Sequence, residues 1–266
     1  MLGTKLCRSA GLAVGGAALL AGCSSAAAPS ASPPQTTPAA QVSPAGSSPP
    51  VCPNPDGGTC VGPLTAGQTY RTATFQPAIT YTVPAAGWSN LEDLSGNFLL
   101  VPPGNNLAGV NAGTSDYIGV YTAITPATLD QLPSCAFGPP PGLAGTPAAM
   151  ATWFERQRPL AATLPQPVTV GGLHGLVLDL KLRPQAKMQT CIDDLTGKRL
   201  HMYPLITGLF HSELEHTLVP RLTLRLYLLT SGHHVLGIEV DDIPNAPGRL
   251  QTLSAEVNRL QFAAGS

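Results

Sequence analysis

Leu222-Thr223-Leu224-Arg225-Leu226-Tyr227-Leu228-Leu229-Thr230-Ser231-Gly232-His233-His234-Val235-Leu236-Gly237-Ile238-Glu239-Val240 alternates leucine with Thr223, Arg225 and Tyr227, breaks at Ser231-Gly232, and resumes with Leu236, Ile238 and Val240. Residues two apart on a strand share a face, and a serine–glycine pair turns the chain, so the stretch predicts an antiparallel hairpin. Upstream, Leu176, Leu178, Leu180 and Leu182 recur at period two against Val177, Asp179 and Lys181, the pattern of a strand with one wet face. Val168-Thr169-Val170 before it ends on Gly171-Gly172, a double-glycine turn.

Further strands follow from the same period. Phe75, Ile79, Tyr81 and Val83 alternate up to Pro84, Phe98-Leu99-Leu100-Val101 is a short apolar run, and Tyr117 to Ile124 reads as a third strand. Two helices are expected. Thr146-Pro147 supplies a capping hydroxyl and a proline at the first helical position, ahead of Met150, Trp153 and Phe154 on one face, with Pro159 ending that helix near Arg158. Asn245 and Pro247 introduce a second helix with Leu250, Leu253 and Val257 on one side, and Leu260 and Phe262 close the chain. Strands in runs with two separated helices predict an α+β fold, an antiparallel sheet covered by two helices.

The amino terminus has a different character. Lys5 and Arg8 precede an uncharged apolar stretch from Gly11 to Leu20, too short to span a bilayer, which closes on Leu20-Ala21-Gly22-Cys23. This layout is that of an export signal ending in a lipobox, so residues 1–22 are expected to be removed and Cys23 to carry the acyl chains, two or three of which give stable anchoring. Residues 23–50 comprise the acylated cysteine and a charge-free Ser/Ala/Pro-rich linker, which cannot bury a core and is expected to be a disordered tether reaching on the order of 30 Å. Residues 51–266 are left as a single extracytoplasmic domain. Loss of Lys5 and Arg8 leaves 12 basic residues against 15 acidic ones, net −3, which is no footprint for nucleic acid.

With Cys7 in the signal and Cys23 acylated, Cys52, Cys60, Cys135 and Cys191 form an even set in an oxidising compartment. Four cysteines allow three pairings. The turn-forming Pro53-Asn54-Pro55-Asp56-Gly57-Gly58 favours Cys52 with Cys60, leaving Cys135 to pair with Cys191. Their spacings match no zinc finger or ribbon.

No catalytic, cofactor or metal signature emerges. His211-Ser212-Glu213-Leu214-Glu215-His216 gathers ligating side chains, yet histidines five apart diverge by about 140° on a helix, and a solvated segment accounts for them. His174 falls in phase with the leucine face, as a core histidine would, and His233-His234 flank the hairpin turn. Thr230-Ser231-Gly232-His233 with Asp241-Asp242 offers the residue types of a hydrolytic triad, but neighbours splayed along a strand rarely reach one another, and there is no G-x-S-x-G. Asp193-Asp194 before Gly197-Lys198 reads as a polar loop, and Gly171-Gly172 with Gly175 precedes a strand, not the helix a dinucleotide fingerprint needs.

Phe75-Gln76-Pro77 through Val83-Pro84, Gly87-Trp88, Phe98-Leu99-Leu100, Ala151-Thr152-Trp153-Phe154, Val168-Thr169-Val170-Gly171-Gly172 with Gly175, and the closing hairpin and helix resemble a group of uncharacterised actinobacterial lipoproteins and exported domains. The order of elements also resembles the PsbP-like α/β sandwich of some mycobacterial lipoproteins. The resemblance implies a fold and a binding or accessory role, with no catalytic residue to carry over.

The expected function is therefore a lipid-anchored binding or interaction module on the outer side of the cell membrane, held there by its lipid, with no cofactor and an unidentified protein or apolar ligand as partner. Two other classes compete. A carrier of lipid or another apolar ligand predicts a large cavity lined by residues such as Trp88, Trp153 and Phe154. A hydrolase predicts a pocket joining Ser231 to a histidine and a carboxylate, or His211 to His216.

Overall fold

The computed structural model describes residues 62–112, 114–129, 134–192, 197–208, 214–243 and 247–263. A nine-stranded antiparallel sheet forms the frame, in the order Gly62–Pro63, Ser89–Asp93, Asn97–Val101, Ile118–Tyr121, His234–Asp242, Thr223–Ser231 and Leu173–Leu182. Leu160–Ala162 and Gln166–Val170 both pair with the outer edge of Leu173–Leu182. The expected hairpin lies at its centre, with Ser231 opposite His234 and Leu224 opposite Asp241. The double-glycine turn is also present: Gly171 and Gly172 both have positive φ and join Val170 to its partner Leu173, a conformation that a side chain disfavours.

Both faces of this sheet are covered, and not by two helices alone, which overturns the expected architecture. On one face Phe98, Leu100, Ile118, Val120, Leu236, Ile238 and Val240 pack against the helix Arg249–Val257 (through Leu250, Leu253 and Val257) and against Ile79 and Tyr81. Ile79–Thr82 belongs to a small three-stranded sheet with Thr69–Arg71 and Gln261–Phe262. The opposite face carries Leu178, Leu180, Leu224, Leu226, Leu228 and Val235, packed against the helix Pro147–Arg156 and a second sheet. That sheet joins Gln189–Ile192, Arg199–Gly208, Glu215–Leu218 and Ile124–Pro126. The described residues are thus mainly β, with two larger sheets face to face, smaller sheets of three and two strands, and three short helices, the third being Leu107–Ala112. A strand covered on both sides is buried at consecutive positions, as Arg199–Gly208 is from Met202 to Thr207.

Several local expectations are met and others shift. Thr146 caps its helix by accepting the Ala149 amide at 3.3 Å, with Pro147 leading, although the helix stops at Arg156 rather than Arg158. Buried Leu250, Leu253 and Val257 line the last helix, which starts after Gly248; Asn245 lies outside the described residues. Phe75 sits in the loop before its strand, buried against Phe98. The run from Tyr117 to Ile124 is two strands, not one, because Ala123 has φ 52° and the chain there leaves the large sheet for the second. His174 is exposed and hydrogen-bonded to Thr169 at 2.9 Å, since its strand end overhangs the core.

Candidate functional site

Two places gather polar side chains. The first is the seam between the two large sheets. Alternation along His234–Asp242 sends Leu236, Ile238 and Val240 to one core, so Glu239 and Asp241 point the other way, under the second sheet. Glu239 is 1% exposed. Its Oε2 accepts the Nδ1 proton of His216 at 2.6 Å and the Tyr117 hydroxyl at 3.1 Å, while Oε1 has no partner in the described structure. A carboxylate only accepts, so the hydrogen bond itself places the imidazole proton on Nδ1.

His216 comes from Glu215–Leu218 and pairs with Ile206, so the second sheet lowers it onto the first. Tyr121 packs edge-on against its ring with centroids 4.6 Å apart. Tyr117, Gly119 and Tyr121 share one face of their strand, and a Cβ on Gly119 would overlap the Tyr121 hydroxyl, so glycine leaves room for that ring beside Glu239. Glu92, opposite Leu99, faces the same seam.

Burial lowers the affinity of His216 for its proton, but the Glu239 carboxylate, its hydrogen bond and Glu92 outweigh that, and the net shift is upward. Burial raises Glu92, and burial with the nearby Glu239 charge raises Asp241 well above the ordinary aspartate value. Tyr117 and Tyr121 are held protonated, again chiefly by burial. Behind Asp241, Asp116 accepts the Ile243 amide at 2.9 Å and pairs with Arg249 at 2.9 Å.

The second place is an open concavity of about 680 Å³ on the face carrying the last helix. Arg249–Val257 leaves the outer strands uncovered, and their side chains line the space: Val177 and Asp179 beside their cross-strand partners Tyr227 and Arg225. Arg225 holds Asp179 through two parallel hydrogen bonds of 2.7 and 2.9 Å and reaches Ser254 on the helix at 3.1 Å. Its charge is therefore cancelled in place, and its affinity for its proton rises chiefly through the Asp179 bond. Leu164 stands at the rim, 74% exposed.

The residues singled out from sequence are mostly kept apart. Ser231 sits at the turn end of the hairpin and Asp241 at the far end, seven positions along the strand, so no triad forms from them. His216 is buried in the seam rather than solvated, because the segment is a strand covered by the large sheet; His211, Ser212 and Glu213 lie outside the described residues, as do Asp193 and Asp194. Trp88 belongs to one core and Trp153 and Phe154 to the other, and the cleft beside Trp88 measures about 20 Å³, room for a water and not an acyl chain. Cys135 is bonded to Cys191, the pairing left over in the sequence argument, while Cys23, Cys52 and Cys60 lie outside the described residues. Glu239, Tyr117 and the Arg225–Asp179 pair carry the polar structure and were not marked by any motif, and Asp241 was marked only as a member of the triad that does not form.

No family model and no curated protein matches the chain. Similar solved structures include cyanobacterial PsbP (CyanoP) from Synechocystis sp. PCC 6803, with TM-score 0.35 and 11% identity, spanning 77% of this chain and 98% of that one. A Bacteroides thetaiotaomicron protein gives TM-score 0.31 and 9% identity over 70% of this chain, which spans 45% of that protein. At such TM-scores neither likeness carries an inference about activity.

Proposed function

We propose that the chain is a lipid-anchored binding module, carried on the outer side of the cell membrane by acyl chains on Cys23 and taking its ligand in the concavity beside the last helix. The observation that carries the binding role is that concavity. At about 680 Å³ it falls within the size range of ligand sites, and it combines an apolar wall, Val168, Val177 and Leu164, with the fixed polar groups of Tyr227, Ser254 and the Arg225–Asp179 pair. Groups already locked by mutual hydrogen bonds lose little freedom on binding. The address rests on the charged, apolar and small-residue leader that ends at Leu20-Ala21-Gly22-Cys23, and on the resemblance to actinobacterial lipoproteins.

Two experiments test the halves separately. Radioactive palmitate fed to expressing cells should label the wild type and leave Cys23→Ala unlabelled; equal labelling of both removes the anchor. Native mass spectrometry of the full chain taken from its own membrane should show a bound species on the wild type that is absent from Tyr227→Ala. A bare mass for the wild type, or retention by Tyr227→Ala, counts against the concavity.

A further inference from the structure

Among the described residues, His216 of the second sheet meets Glu239 of the large sheet in a charged contact, and both partners are buried where the sheets touch. The groups facing that contact come from both sheets. From the large sheet Glu92, Tyr121 and Tyr117 surround it, with Asp241 beyond Glu239 and Asp116, Asp242 and Arg249 behind Asp241. From the second sheet the neighbour of His216, Glu215, turns aside toward the Phe137 amide. The seam therefore sets three carboxyl groups, Glu92, Glu239 and Asp241, against one imidazole. Glu239 and Asp241 each keep a buried oxygen without a partner among the described residues, and the second donor to Glu239 is the uncharged Tyr117 hydroxyl at 3.1 Å.

We propose that the His216–Glu239 contact is a proton-controlled latch, closing the second sheet onto the large sheet while His216 is protonated and loosening that sheet when the proton leaves. With the imidazolium in place, the 2.6 Å bond is charge-assisted and offsets the cost of burying Glu239. A neutral imidazole still donates one hydrogen bond but leaves the carboxylate uncompensated, and an uncompensated buried charge is relieved by letting water in. The side that yields is the second sheet, whose Glu215–Leu218 strand is four residues long, whereas Glu239 is fixed in the nine-residue strand at the centre of the large sheet.

The sign follows from linkage. His216 is raised in the folded state, so its stabilisation is complete below the ordinary histidine value and is lost as pH rises through the folded one. Glu92 and Asp241 are raised as well, so they too favour the closed form in acid and oppose it as pH rises. All three act in the same direction.

Hydrogen exchange on the full chain, corrected for intrinsic rates, from about pH 5 to about pH 9 brackets the histidine range. Amides of Arg199–Gly208 and Glu215–Leu218 should lose protection by about tenfold or more as pH rises, while those of Thr223–Ser231 do not. The midpoint should coincide with that of the His216 ring signal followed by NMR in the same protein. Glu239→Gln, which keeps the shape and removes the anion, should abolish the part of the step that follows the wild-type His216 midpoint. Protection that is flat with pH, that falls equally in the central hairpin, that has a midpoint away from that of His216, or that keeps a step at that midpoint in Glu239→Gln would overturn the latch. Should Glu239→Gln fail to fold, the agreement of the two wild-type midpoints decides.

Discussion

Asp93→Ala is expected to destabilise the domain by about 4 kcal/mol, within the range for stripping a buried charge from its partners. Asp93 is fully buried at the end of Ser89–Asp93, and its carboxylate receives three backbone amides from the loop across the core: Ala73 at 2.8 Å, Thr74 at 3.2 Å and Phe75 at 2.8 Å. Thr72 continues the same clasp, accepting the Ile79 amide through its hydroxyl at 2.8 Å. The loop so held inserts Phe75 against Phe98, with ring centroids 6.2 Å apart, under Ile79–Thr82. Alanine leaves three amides without their acceptor, that of Phe75 in a buried position, and the Phe75 anchor goes with them. Asn in the same place supplies one acceptor oxygen and presents an NH2 to an amide, so it should lie between alanine and wild type. Urea unfolding midpoints decide the matter: a change under about 0.5 kcal/mol for alanine, typical of a surface site, would show that the loop holds without the clasp.

How far the sequence could be read depended on which faces were wet. The hairpin from Leu222 to Val240, the Thr146-Pro147 helix start and the Gly171-Gly172 turn were legible because each depends on a few neighbours: a period, a cap, a positive φ. The second sheet was not. Arg199–Gly208 contains Pro204 and is buried at consecutive positions, so it shows neither alternation nor the composition of a strand. Missing that sheet produced the wrong architecture, two helices over one sheet, and hid the seam. A period of two assigned Leu236, Ile238 and Val240 to the core but is silent on what covers the opposite face, and there lie Glu239 and Asp241. One clue was available: Val235-Leu236-Gly237-Ile238 is apolar at consecutive positions, the mark of a strand covered on both sides. The concavity was illegible for another reason, since Asp179, Arg225 and Ser254 meet only once two strands and a helix are placed.

Replacing Cys135 and Cys191 together by alanine is expected to cost about 4 kcal/mol, from the entropy the bond removes from the unfolded chain across a loop of this length. The two cysteines are 56 residues apart, and the loop they close includes the helix Pro147–Arg156 and three strands of the large sheet. On its other side the strand Gln189–Ile192 is held by its antiparallel pairing with Arg199–Met202 and by a hydrogen bond of 3.0 Å between Thr190 and His201. Of Gln189–Ile192 only Cys191 is buried, and it packs with Cys135, Met202, Leu129, Phe137 and Leu200 in a small cluster separate from both main cores. Beside the bond, Cys135 donates its amide to Ile192 at 3.2 Å, too weak a tie to fix the strand alone. In a domain of this size the loss should lower the melting temperature by on the order of 10 °C. Under reductant, which also opens the expected Cys52–Cys60 bond in both proteins, the wild type and the double variant should melt at the same temperature. If wild type and double variant melt together without reductant, the unfolded chain gains nothing from the bond's release, and the edge of the second sheet is held instead by packing around Met202 and Phe137.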